Sequence, residues 1–188
     1  PEGMWLPETA VDTKSLEMLA EFGIKYTILS PVQCEKTRKI GEKEWLDASD
    51  EKVDTTMPYV CNLPSGKSIT LFFYHGPTSQ EIAFKGLLRN GKNLAETLAS
   101  ILDNNNNDKN NIPARLAHVA TDGETYGHHH RHGDMALAYA IHHIEKHNLA
   151  RMTNYGQYLE KFPPTQEAKI FENSSWSCSH GVERWKSD

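Results

Sequence analysis

No stretch of this 188-residue chain approaches the roughly 18 to 20 consecutive apolar residues that cross a bilayer, so no membrane partner is expected. A basic stripe is missing too: 20 Lys and Arg are scattered among 25 Asp and Glu, for a net charge of -5. Nothing is set out to neutralise a phosphate backbone, and no nucleic-acid partner is expected. Cysteine is scarce. Cys34, Cys61 and Cys178 are odd in number and lack CxxC spacing, which argues against a disulfide framework or a thiolate zinc site and for a reducing, cytoplasmic setting. One nucleotide-binding signature begins and fails: Leu63-Pro64-Ser65-Gly66-Lys67-Ser68 ends like a phosphate-binding loop, but Cys61 stands where that loop needs its first Gly.

What is present alternates between helical and extended patterns, as in an α/β protein. Asp12 is an N-cap, Leu16, Leu19, Ala20 and Phe22 recur at helical spacing, and Gly23 supplies a stop. Residues 24–29 form a β-branched and aromatic run, which predicts a buried strand. Residues 32–54 are charged and weakly periodic and predict a loop with one helical turn. Residues 59–62 and 69–74 flank a Pro-Ser-Gly turn and predict a hairpin, so that 32–75 reads as an insertion. Two helices follow, one starting at Ser79 and one carrying Leu94, Leu98, Ile101 and Leu102. An Asn-rich stretch over 103–112 predicts a solvated loop. Residues 114–120 predict a short strand delivering Asp122, and a helix begins near Gly133 or Asp134. Strand, loop and helix in that order is the repeating unit of β/α barrels. A helical piece over 155–162, a strand over 168–171 and a loop over 172–185 complete the chain.

Two acidic settings have the texture of a site. Asp122-Gly123-Glu124 places two carboxylates at an expected strand end beside Tyr126 and a run of imidazoles, which suits a catalytic acid oriented by its neighbours; the bland alternative is a helix-entry loop whose acids complement the helix dipole. Glu8 follows Trp5-Leu6-Pro7, where proline stiffens the approach and an indole offers a face for a sugar ring; the bland alternative is an exposed glutamate before a helix. His128, His129, His130, His132 and Asp134 also admit a metal reading, because His128 and His132 stand four residues apart. A metal-dependent polysaccharide deacetylase or mannosidase would want such a cluster, although Gly127 and Gly133 bracket it and argue for loop. Trp176 and Trp185 sit in polar surroundings in the last loop, as binding residues or as a C-terminal packing patch.

Gly3-Met4-Trp5-Leu6-Pro7-Glu8 together with Asp122-Gly123-Glu124-Thr125-Tyr126-Gly127-His128 resembles glycoside hydrolase family 57, in a bacterial branch related to α-amylases, 4-α-glucanotransferases and branching enzymes. The resemblance implies a (β/α)7-type barrel acting on α-linked glucans with retention of configuration, Glu8 as nucleophile and Asp122 as general acid/base. Trp5, Glu124, His128 and Trp176 fall where that family lines its substrate; with Tyr126, His129 and His180 they make up the expected substrate-binding set. No cofactor and no metal ligand are expected for this chemistry. The family's N-terminal His-rich region is absent from this sequence, and the Thr9-Ala10-Val11-Asp12 continuation and the triple His differ from its amylolytic members. The chain is therefore expected to be one catalytic-barrel segment, incomplete by itself, with N-terminal strands supplied by the same longer chain or by a partner chain. A carbohydrate-binding barrel that has lost turnover is the remaining alternative.

Overall fold

A computed structural model describes residues 1–103, 114–178 and 180–185. The chain divides into two compact units, Pro1–Tyr74 with Tyr155–Asp188, and His75–Asn154.

The first unit is built on a seven-stranded mixed sheet in the order β1-β2-β6-β5-β7-β3-β4. Strands β1 (Gly3–Met4), β2 (Tyr26–Leu29) and β6 (Ser68–Phe73) run parallel, and the expected hairpin appears as β5 (Tyr59–Asn62) antiparallel to β6. Its turn closes through Leu63 N–H to Lys67 O at 2.9 Å, with Gly66 at φ 83. β7 (Gln166–Ile170) lies parallel to β5 and antiparallel to β3 (Cys34–Lys39), whose other edge carries β4 (Leu46–Asp47). Among the described residues β1 and β4 are the ends of this order, so the fold is a mixed α/β sheet and no closed barrel ladder is seen. Ile69, Leu71 and Phe73 of β6 point into a core with Leu16, Leu29 and Tyr59, while Phe72 faces Tyr26, Tyr155 and Tyr158 on the other side. Burial on both faces stabilises β6 by about 1.5 to 3 kcal/mol per large side chain. Helix α1 (Thr13–Glu21) starts as expected, with the Asp12 carboxylate accepting from Ser15 N–H at 2.7 Å, and buries Leu16 and Leu19. Helix α5 (Tyr155–Lys161) supplies the aromatic face.

The expected loop over 32–54 is corrected: it contains a 3-10 turn at Pro31–Gln33 and strands β3 and β4. Apolar alternation does not mark β3, because its charges are satisfied sideways. Arg38 pairs with Glu167 of β7 at 2.6 Å, and Trp45 covers both the Arg38 guanidinium, 4.3 Å from the ring centroid, and the Lys169 ammonium at 5.2 Å.

The second unit is helical: α2 (Gly76–Phe84), α3 (Gly91–Asp103) and α4 (Gly133–Lys146). His75 rather than Ser79 caps α2, its Nδ1 accepting from Thr78 N–H at 3.3 Å. Ile82, Leu88, Leu94, Ala95, Ala140 and Ile144 form the core. A Cβ on Gly91 would meet Ala136 O at 2.8 Å, so only glycine allows α3 and α4 to approach this closely. The strand expected over 114–120 is also corrected, since these residues belong to no strand. Leu116 and His118 are buried there, His118 O accepts from His75 N–H at 2.9 Å, and Ala120 N–H donates to Ser79 Oγ at 3.1 Å. Packing beside α2 does what a sheet ladder was expected to do. Of the expected Asn-rich loop, Asp103 ends α3 and the rest lies outside the described residues. No helix among the described residues is long and apolar enough to cross a membrane.

Candidate active site

Glu8 leaves β1 through a 3-10 turn, Pro7–Thr9, with Pro7 at its first position. The turn is strained. Glu8 has φ 56 and ψ 18, and Thr9, a β-branched residue, has φ 49. Each such conformation costs about 1 to 3 kcal/mol and persists only where the surroundings over-determine it. Three sets of contacts do so. Thr9 N–H donates to Leu6 O at 2.9 Å and the Thr9 hydroxyl to Glu8 O at 2.7 Å. The backbone N–H of Trp176 donates to the same Glu8 carbonyl at 3.1 Å, and its indole Nε1 donates to Glu8 Oε2 at 3.0 Å. Thr9 O, fully buried, accepts from the Gln33 amide at 2.8 Å.

The loop that brings Trp176 to Glu8 is sewn to the same segment. Val11 and Ser174 exchange two backbone hydrogen bonds, at 3.0 and 3.1 Å, and the Glu172 carboxylate takes both the backbone N–H of Thr13, at 2.9 Å, and its hydroxyl. Farther along, Ser175 Oγ donates to Gly181 O at 2.9 Å and Val182 N–H to Asn173 O at 3.0 Å. Gly181 has φ 70, and a Cβ there would stand 2.0 Å from Asn173 O. Trp5 meets Trp176 edge-on, 5.0 Å between centroids, and Tyr74 does so at 6.0 Å. Trp5 keeps 39% of its surface exposed and packs on the indole that holds the half-buried Glu8 carboxylate. His180 is exposed in the same loop.

Asp122 stands differently. It precedes a 3-10 turn, Gly123–Thr125, with ordinary extended backbone (φ -61, ψ 143) and no side-chain capping bond. Thr125 N–H donates to Asp122 O at 3.1 Å, and the N–H groups of His128 and His129 converge on Glu124 O at 3.1 and 2.9 Å. The Thr121 hydroxyl donates to Tyr126 OH at 3.1 Å. Thr125 is buried beneath the turn, whereas Asp122, Glu124, His128 and His129 are exposed, the last two with rings 5.0 Å apart.

The histidines do not assemble as a metal reading requires. His130 Nε2 lies 2.8 Å from Ala83 O, and His132 is the N-cap of α4 at φ 65, so His128 and His132 share no helical face. The rings of His143 and His147 lie 4.3 Å apart, tilted by 43°, at the end of α4, where partial desolvation and the neighbouring imidazole hold His143 below the usual histidine range. Among the described residues no group of three or more His, Cys, Asp or Glu is placed to hold a metal ion. All three cysteines are free, and burial pushes the Cys34 thiol up to about 12 and that of Cys61 up to about 11, which keeps both protonated and unreactive.

Residues 1–170 match the model of Glycosyl hydrolase family 57. This chain belongs to glycosyl hydrolase family 57. Trp176 and His180 lie beyond the matched span of this family-57 chain. Its fold is shared with the crystal structure of a 4-alpha-glucanotransferase from Thermococcus litoralis, at a TM-score of 0.67 and 21% identity over 93% of this chain and 24% of that one. It is shared also with an exo-type maltose-forming amylase from Pyrococcus sp. ST04, at a TM-score of 0.61 and 15% identity over 96% of this chain and 30% of that one. The family-57 chain thus spans 24% and 30% of the length of these two structures. No curated protein matches it.

Sequence reasoning missed Thr9, Gln33 and Ser174. One local signal was available for Gln33: Ser30-Pro31-Val32-Gln33 has the spacing of a capping box, and Gln33 Oε1 does accept from Ser30 N–H at 2.9 Å.

Proposed function

We propose that this family-57 chain carries the catalytic carboxylates of a retaining glycosidase or transglycosylase acting on α-linked glucans. Glu8 is the nucleophile and Asp122 the general acid/base. The observation that carries the reading is the hydrogen bond from Trp176 Nε1 to Glu8 Oε2, which holds the carboxylate on a strained turn, with the exposed indole of Trp5 packed on that of Trp176. Evolution tolerates such strain where a group must be held in one orientation. In the first step Glu8 attacks the anomeric carbon while Asp122 passes its proton to the departing oxygen. In the second Asp122 takes a proton from water or from an acceptor sugar, which displaces Glu8 with a second inversion. Retention by this route requires the two carboxyl groups about 5 to 5.5 Å apart. Trp5 offers the sugar an apolar face, and Glu124, Tyr126, His128, His129 and His180 offer it polar partners. The mixed sheet is read as part of a (β/α)7-type barrel in a cytoplasmic enzyme.

The test is turnover of maltooligosaccharides by the full-length protein, with the anomer of the first product followed by NMR. Glu8→Gln is expected to lower kcat by about 10⁴-fold or more and Asp122→Asn by about 10² to 10⁴-fold, with retained configuration in the unsubstituted enzyme. Glu8→Gln turning over within about ten-fold of the parent, or an inverted product, would sink the assignment.

A further inference from the structure

Gln33 is fully buried, and its two ends face different tasks. The Oε1 end caps the Pro31–Gln33 turn through Ser30 N–H, which is ordinary local structure. The Nε2 end reaches away from that turn. It donates to Thr9 O at 2.8 Å, the residue next to Glu8, and lies 3.1 Å from Ser174 Oγ, two residues before Trp176. The backbone carbonyl of Gln33 also accepts from Phe171 N–H at 2.9 Å, at the entry to the Trp176 loop. One primary amide therefore touches both segments that define the Glu8 carboxylate: the strained turn that carries it and the loop whose indole holds its Oε2. A turn capped for its own sake needs only the Oε1 contact.

From this juxtaposition we infer that Gln33 is a positioning residue for the nucleophile, setting Glu8 and Trp176 in register through Thr9 and Ser174. The inference rests on the reading of Glu8 as nucleophile and goes beyond it by naming what fixes its line of attack. Gln33 touches no reacting atom. Its loss leaves the carbonyl of Thr9 without its amide donor in a turn whose φ angles are 56 and 49, and the turn relaxes toward ordinary backbone. A displacement of the carboxylate by about 1 Å is enough to slow the chemical step about a hundred-fold.

The experiment follows formation of the glycosyl-enzyme ester in the full-length protein, using 5-fluoro-α-glucosyl fluoride and intact mass with peptide mapping. In that reaction a Glu8 oxygen bonds to the anomeric carbon as the carbon–fluorine bond breaks, and fluoride leaves with the electron pair. Gln33→Met keeps the side-chain length and removes both polar ends. It is expected to label Glu8 about ten- to a hundred-fold more slowly than the parent, with kcat on maltooligosaccharides falling in parallel and KM within about two-fold. Ser174→Ala removes the hydroxyl that meets the Gln33 amide, together with that hydroxyl's own bond to Phe171 O at 2.7 Å, leaves the Gln33 contact with Thr9 in place and covers the case in which Gln33→Met does not fold; an intermediate slowing of about three- to ten-fold is expected. Failure of the parent to acquire label on Glu8 would overturn the nucleophile reading itself. Label on Glu8 formed at the parental rate by a folded Gln33→Met protein, or by Ser174→Ala, would overturn the role of Gln33 and leave the nucleophile reading standing.

Discussion

Glu8 and Asp122 are paired by motif yet are held in opposite ways. Glu8 sits on two consecutive residues of left-handed backbone, with its carboxylate bonded by an indole N–H and its neighbour's carbonyl bonded by a buried amide. Asp122 has relaxed backbone, an exposed side chain and a loop closed mainly by backbone bonds a few residues apart. The roles proposed for them fit the contrast. A nucleophile must meet the anomeric carbon along one line, and its geometry is worth preorganising at a cost in strain. A proton donor needs only to come within hydrogen-bond reach of the leaving oxygen, and such contacts often tighten only when substrate binds.

The contrast breaks most visibly at the indole. Trp176→Phe preserves an aromatic ring against Trp5 and Tyr74 but removes the donor to Glu8 Oε2. A hydrogen bond to a charged group is worth about 1.5 to 3 kcal/mol, so kcat is expected to fall about 10- to 100-fold. The matching change in the other loop, Thr121→Val, removes the hydroxyl that donates to Tyr126 OH and is expected to alter kcat by less than about three-fold. Steady-state rates for the pair decide the matter; equal losses would mean that Asp122 is as tightly positioned as Glu8.

A smaller effect is expected from the glycines. Gly181→Ala places a Cβ 2.0 Å from the Asn173 carbonyl at φ 70, so the Trp176 loop must open, and a fall in kcat of about ten-fold with a lower Tm is expected. Gly123, beside Asp122, has nothing within 4 Å of where its Cβ would be and no positive φ, and Gly123→Ala should leave turnover within about two-fold. If Gly181→Ala turned over like the parent, the loop would not be what fixes Trp176.

Local chemistry accounts for what the sequence made legible. Helix α1 announces itself through Asp12 and Gly23, the β5–β6 hairpin through Pro64-Ser65-Gly66, and the two acidic settings through glycines and aromatics packed beside carboxylates. Strand β3 was invisible because its longer ladder and its ion-pair partner come from β7, more than a hundred residues away, its local partner β4 is only two residues long, and its own residues are mostly charged. The 114–120 segment looked like a strand because an apolar run of that length is as compatible with burial beside helices as with a sheet. The ties on Glu8 were hidden for a similar reason: Gln33 reaches 24 residues back to Thr9 and 141 forward to Ser174, and Trp176 reaches back 168 residues to Glu8. No periodicity records such pairs.

The smallest predicted effect asks whether helix α1, which begins only a few residues beyond Glu8, shares in holding the turn. Asp12 Oδ1 accepts from both the N–H and the hydroxyl of Ser15 at 2.7 Å, and the hydroxyl bond is the chief reason the carboxyl lies below the usual aspartate range. A depressed folded-state value means that the cap stabilises the fold above the unfolded-chain value of about 3.9 and loses that contribution as pH falls through the lower folded value. Asp12→Ala should therefore cost about 1 kcal/mol in denaturant unfolding at pH 7, and the gap to the parent should narrow as the pH is taken below about 4. Asp12→Asn, an uncharged cap, should lose less at pH 7 and should not show the same narrowing. Neither change reaches Gln33, Trp176 or the carbonyl of Thr9, so kcat should stay within about two-fold of the parent. A drop in kcat that tracked the loss of cap stability would assign the Glu8 turn to the helix and remove the contrast with Asp122 at its source.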